Sequence, residues 1–225
     1  MDNDQAESDD LAATPIGSRR DRTGGARGNE RLTAMTGALL LVLFAAECPT
    51  ILSIRHLLTL HYFLGMLLIG PVLLKVCSTV YRFTRYYMGA IPYRRRGPPA
   101  LLLRILGPFV ILTSLAVLGS GVVLGLTTPD EKLWLTLHTV AFALWFAAIT
   151  LHVNAYLAQL PRILWSDLAD RLRGRAAQVL AGRAARWLLL VASVGAGLVL
   201  ALLTYHRAGV WLNTHPPGPS KPGEG

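Results

Sequence analysis

The sequence predicts an all-α, polytopic membrane bundle, and three observations lead there. Apolar residues make up 52% of the 225 positions and charged residues only 16%, where a soluble domain carries about a quarter charged. The apolar residues gather into five long runs, and mean hydropathy is +0.43. The arginines concentrate in alternate connecting segments. Together these exclude a disordered chain, a collagen-like repeat and an ordinary soluble enzyme.

The elements follow in order. Residues 1–31, rich in Asp, Arg, Gly and Ser, cannot bury a core and read as a disordered cytoplasmic tail. Arg19-Arg20 is followed by Asp21, Arg22, Thr23 and Gly24, which is wrong for a twin-arginine signal, so no cleavage is expected. Crossing ~30 Å of hydrocarbon takes about 20 mainly apolar residues. Five segments qualify: Leu32 to Ile54, Leu57 to Tyr81, Ala100 to Leu126, Leu133 to Leu157, and Trp187 to Tyr205. A tight turn around Arg55-His56 makes the first two an antiparallel hairpin. Pro92, Pro98 and Pro99 bound the loop before the third, and Thr127 to Asp130 form the turn before the fourth. Residues 163–185 mix leucine and alanine with arginine and aspartate at helical spacing, as an interfacial helix or a charged connector would. The transmembrane bundle thus covers 32–212, and 213–225, rich in Pro and Gly, reads as a disordered C-terminal tail.

Charge sets the orientation. The N-terminal tail holds Arg19, Arg20, Arg22, Arg27 and Arg31. The connection between spans two and three, with its flanks, holds Arg82, Arg85, Arg94, Arg95, Arg96 and Arg104. Between spans four and five lie Arg162, Arg171, Arg173, Arg175, Arg183 and Arg186. The opposite side has only Arg55, Lys132, Arg207 and Lys221. The N-terminus is therefore expected in the cytoplasm, with the bundle in the plasma (inner) membrane. The net charge of +9 then reads as topology signal and anionic-lipid contact rather than nucleic-acid binding. Cys48 and Cys77 lie inside apolar runs with no metal-ligand spacing, which excludes a disulfide framework.

Ionisable side chains inside a bilayer are costly and point to function. Five fall within the spans: Glu47, His61, Lys75, His138 and His152. His138 and His152 are fourteen residues apart on the fourth span, so they stand about 21 Å apart and only ~40° off one face. Two imidazoles so placed suit two stacked b-type haems. His61, near the outer end of the second span, matches the depth of His138. These two would take one iron from opposite sides of the ring, since neutral imidazole is a standard haem ligand. Gly65, Ala141 and Ala148 beside them would let a porphyrin approach the backbone.

The segments HYFLGMLLIGPVLLKVCSTVYRFTRYY, starting at His61, and LHTVAFALWFAAITLHVNAY, ending at Tyr156, resemble the integral-membrane b-type cytochromes built on a four-helix haem bundle. That family includes the cytochrome b subunits of formate dehydrogenases and nickel–iron hydrogenases and smaller bacterial relatives. The resemblance implies haem b, one group or two, and an electron-transfer subunit rather than a stand-alone catalyst. It also implies a quinone and a soluble or periplasmic oxidoreductase subunit as partners. The pattern departs at Lys75, where a second haem would want a histidine opposite His152. The inner haem is then either absent or held by His152 with neutral Lys75. Arg55 is the candidate for the outer propionates, and Arg82 or Arg85 for inner ones.

Two other readings stay open on the residues alone. The histidines would serve as interhelical hydrogen-bonding groups in a non-haem anchor or assembly subunit. Alternatively, Glu47, Lys75 and His152 would form the relay of a small proton-linked transporter, although no internal repeat accompanies them. Gly119, Gly121, Gly125, Gly195 and Gly197 fit small-residue helix packing. The run GSGVVLG lies inside an apolar helix and is no nucleotide fingerprint.

Overall fold

A computed structural model describes residues 25–94, 101–127, 132–157 and 183–214. All its elements are helical: α1 (Gly25–Leu52), α2 (Ile54–Tyr87), the short α3 (Ile91–Arg94), α4 (Leu101–Leu126), α5 (Lys132–Leu157) and α6 (Arg183–Thr204). A 3₁₀ turn, Tyr205–Arg207, leads into α7 (Ala208–Thr214). Five of these segments are long and apolar enough to cross a membrane, so the chain is an all-α polytopic bundle of five spans. Val42, Leu112, Leu151, Leu188 and Leu203 are 62–70% exposed, the outward apolar surface that hydrocarbon solvates.

Element boundaries depart from the sequence reading where polar residues continue a helix. The first helix starts at Gly25 rather than Leu32. Its polar turns dock on the far end of α2, where Asn29 Nδ2 donates to the Ser78 carbonyl at 3.0 Å and the Thr33 and Ser78 hydroxyls meet at 3.1 Å. The hairpin turn is centred on Ser53, so Arg55 and His56 already belong to α2, which is distorted at Leu57 (φ −115°, ψ 19°). At its other end α2 runs on to Tyr87 and stops where Gly89 takes φ +83°, a conformation that favours glycine. The fifth span continues through the 3₁₀ turn to Leu212. There Trp211 Nε1 donates to the Leu124 carbonyl at 3.0 Å, tying α7 to α4. The turn expected from Thr127 to Asp130 is described only at Thr127. The expected interfacial helix at 163–185 lies outside the described residues apart from its last three, which open α6. Most of both tails lies outside them too.

The helix α2 is the hub. It packs along α1 on one side and along α6 on another, while α4 pairs with α5, and a smaller α2–α4 contact joins the two groups. Between α2 and α5 the backbones barely approach. The α2–α6 crossing is close because it is made by glycines. A Cβ built on Gly70 would overlap the Ser193 carbonyl, and one on Gly197 would overlap the Leu67 carbonyl. Pro71 explains the second contact: lacking an N–H, it leaves the Leu67 carbonyl without its helical donor. That carbonyl sits against the Gly197 backbone.

A mid-membrane core of Leu40, Leu68 and Val72, with Leu43, Phe44, Val76 and Leu118 packed on it, fastens α1, α2 and α4. Phe44 reaches across to Trp145 on α5 (ring centres 4.7 Å). The indole N–H of Trp145 donates to Ser114 Oγ at 3.0 Å, satisfying a donor that has no water to turn to. This layer separates two polar clusters, one at each end of the bundle.

Candidate functional site

The first cluster forms where α1 meets α2 near Ser53 and where α4 meets α5. His61 on α2 and His138 on α5 lie close, with ring centres 6.3 Å apart and planes at 79° in an edge arrangement. Each is held by its Nδ1. For His61, Nδ1 lies 2.5 Å from Glu47 Oε1 and 3.1 Å from Thr50 Oγ1, both on α1. For His138, Nδ1 lies 3.0 Å from the Val117 carbonyl and 3.1 Å from Ser120 Oγ, both on α4.

These partners fix the tautomers. The Thr50 hydroxyl donates its hydrogen to the Glu47 carbonyl at 2.6 Å, so towards His61 it can only accept. The Ser120 hydroxyl donates to the Ala116 carbonyl at 2.7 Å, and the Val117 carbonyl has nothing to donate, so His138 Nδ1 also carries the proton. Both rings therefore present Nε2 as a bare lone pair, and neither Nε2 has a hydrogen-bond partner among the described residues. A metal-binding histidine is prepared in this way: one nitrogen donates to a carboxylate or carbonyl and the other is left to coordinate.

The surroundings are tight behind the rings. A Cβ on Gly121 would come within 3.1 Å of His138 Cε1, and one on Gly125 would overlap the Tyr62 ring, so both glycines let α4 approach its neighbours. At Gly65, one turn from His61, a Cβ would meet nothing within 4 Å. Beside Ser120, a shallow groove of about 330 Å³ runs between α4 and α5, lined by Leu115, Gly119, Trp134, Leu137 and Ala141.

The structure brings together His61, His138 and Glu47, and keeps the other sequence candidates apart from them. Arg55 is exposed at the start of α2, beside Leu52, Ser53 and His56, about 9 Å along the helix from His61. Lys75 and His152 belong to the opposite cluster. Lys75 Nζ donates to the Thr33 carbonyl at 2.7 Å and lies over Gly37 on α1. His152 is half-buried on α5, within electrostatic range of Lys75. A ligand role for Lys75 would require it to leave that carbonyl. No group of three or more His, Cys, Asp or Glu gathers among the described residues, and an axial pair does not need one.

Sequence reasoning missed Thr50, Ser120 and the Val117 carbonyl, and it did not single out His61 as the partner of Glu47. The signal for Glu47 was in the hairpin: Glu47 and His61 stand at similar distances on either side of Ser53, which sets them level. Ser120 carried no such signal, because a lone serine in a membrane helix usually bonds its own backbone.

The chain matches no family model, no curated protein and no solved structure. The fold and the paired histidines therefore define it only as a helical membrane protein with a half-buried imidazole pair.

Proposed function

We propose that the chain is a membrane-embedded electron-transfer protein that holds one b-type haem between α2 and α5, with His61 and His138 as axial ligands. The observation that carries this reading is the pair of Nε2 lone pairs, each left bare by an Nδ1 proton committed elsewhere. With a metal–nitrogen bond of about 2 Å on each side, two imidazoles on one metal have ring centres about 6 Å apart. The rings here stand at 6.3 Å. The separation of the α2 and α5 backbones, with α4 and α1 flanking, suits a flat group bridging them.

A haem bound there supplies one-electron redox chemistry. The protein holds the iron through His61 and His138, and Gly65 allows the ring edge close to the α2 backbone. The Leu40–Leu68–Val72 layer closes one side to water. Arg55 supplies a cation at the nearby surface for the propionates. Arginine asymmetry supports a periplasmic position, in the plasma membrane, for this end of the bundle. A quinone in the bilayer and a soluble or periplasmic oxidoreductase subunit are the electron partners we assign to it.

Interhelical hydrogen bonding alone accounts for the Nδ1 contacts but gives the two Nε2 atoms nothing to bond among the described residues. The test is a spectrum. Dithionite-reduced protein in detergent should show a b-type Soret and α-band, and His61→Ala and His138→Ala should each remove it while helix content is unchanged. A band that survives both substitutions refutes the ligand pair, and a wild-type protein without the band refutes the haem reading.

A further inference from the structure

The two candidate ligands are not held alike, and the difference lies in Glu47. His138 Nδ1 donates to neutral groups only, the Val117 carbonyl and Ser120 Oγ. His61 Nδ1 donates to a carboxyl oxygen at 2.5 Å. Glu47 is only 7% exposed, its Oε2 has no hydrogen-bond partner among the described residues, and His61 is the one side chain its carboxyl group contacts through a hydrogen bond or ion pair there. Burying a carboxyl group in a bilayer is expensive. Helix adhesion needs no such group, because Thr50 on the same helix already offers His61 an acceptor from a fully buried position. What glutamate adds beyond threonine is a carboxyl oxygen on the imidazole.

Resting on the haem reading, we infer that Glu47 is the positioning residue of the His61 ligand. Its carboxylate accepts the Nδ1 hydrogen bond, keeps Nε2 as the donor atom, and makes His61 the more electron-rich of two unequal axial ligands. A carboxylate on Nδ1 raises ligand basicity. A more basic ligand favours ferric over ferrous iron, so Glu47 holds the haem at a lower midpoint potential than carbonyl-held imidazoles would. Thr50 stands beside it, donating its own hydrogen to the Glu47 carbonyl and offering Nδ1 a second acceptor.

The test is a redox titration of the purified, haem-loaded full chain as wild type, Glu47→Gln and Glu47→Asp. Glutamine keeps an acceptor oxygen for Nδ1 but no charge. The expected result is a retained b-type spectrum with the midpoint shifted upwards in Glu47→Gln and returned towards wild type in Glu47→Asp. An unchanged midpoint in Glu47→Gln overturns the inference while leaving the haem reading intact. A wild-type chain with no b-type band overturns both. Where Glu47→Gln does not accumulate, near-infrared magnetic circular dichroism of the wild-type ferric protein decides. A charge-transfer band displaced from that of neutral bis-imidazole haem towards imidazolate supports the assignment, and one at the neutral position overturns it.

Discussion

The planes of His61 and His138 cross at 79°. Near-perpendicular axial imidazoles leave two iron d-orbitals almost equal in energy. On the proposed haem reading, the ferric protein should therefore give a strongly anisotropic low-spin EPR signal with one very large g value, and an ordinary rhombic spectrum would count against this ligand pair. Gly121 offers a steric check on the same residue. A Cβ there comes within 3.1 Å of His138, so Gly121→Ala needs only a small adjustment, whereas Gly121→Leu pushes the ring off the Val117 carbonyl. Overpacking of this kind costs about 1–3 kcal/mol. On the same reading, haem content per protein should fall sharply in the leucine variant and little in the alanine variant, with circular dichroism unchanged. The histidines themselves were legible in the sequence because a charged or polar ring among leucines is conspicuous. Their partners were not, because a backbone carbonyl has no letter and Thr50 and Ser120 look like any small polar residue in a helix.

Among the elements, the α2–α6 crossing is the most exacting joint, since Gly197 lies against the carbonyl that Pro71 leaves without a donor. Gly197→Val meets backbone rather than a movable side chain and should destabilise the fold by about 1–3 kcal/mol. Gly195→Ala, with nothing within 4 Å of the new methyl group, is the control and should be near neutral in detergent thermal melts. Trp145→Phe removes the N–H bond to Ser114 and should cost about 1 kcal/mol, the usual scale for a polar contact between membrane helices. The five spans were readable because hydropathy counts residues against a fixed thickness. Their ends were not, since the polar starts of α1 and the far end of α2 are held by contacts between helices, such as Asn29 with Ser78. Hydropathy alone does not say how the fifth span packs on the others. Gly197 and Gly70 set it against α2, through the backbone approach that glycine permits.

For the whole molecule, the arginine distribution makes a claim about sidedness that labelling can check. With Cys48 and Cys77 replaced by alanine, Arg55→Cys should react with a membrane-impermeant thiol reagent added to intact spheroplasts. Arg94→Cys should react only after the membrane is opened. The reverse pattern would invert the bundle and put the imidazole pair on the cytoplasmic side. The architecture has a second consequence at this scale. The helices α1 and α6 are assembled around α2, and the α4–α5 hairpin is attached to them mainly through α4 and the Phe44–Trp145 contact. A prosthetic group ligated from both α2 and α5 would rivet those two blocks together. On the proposed reading, pigment loading would then also be the step that locks the two blocks to one another.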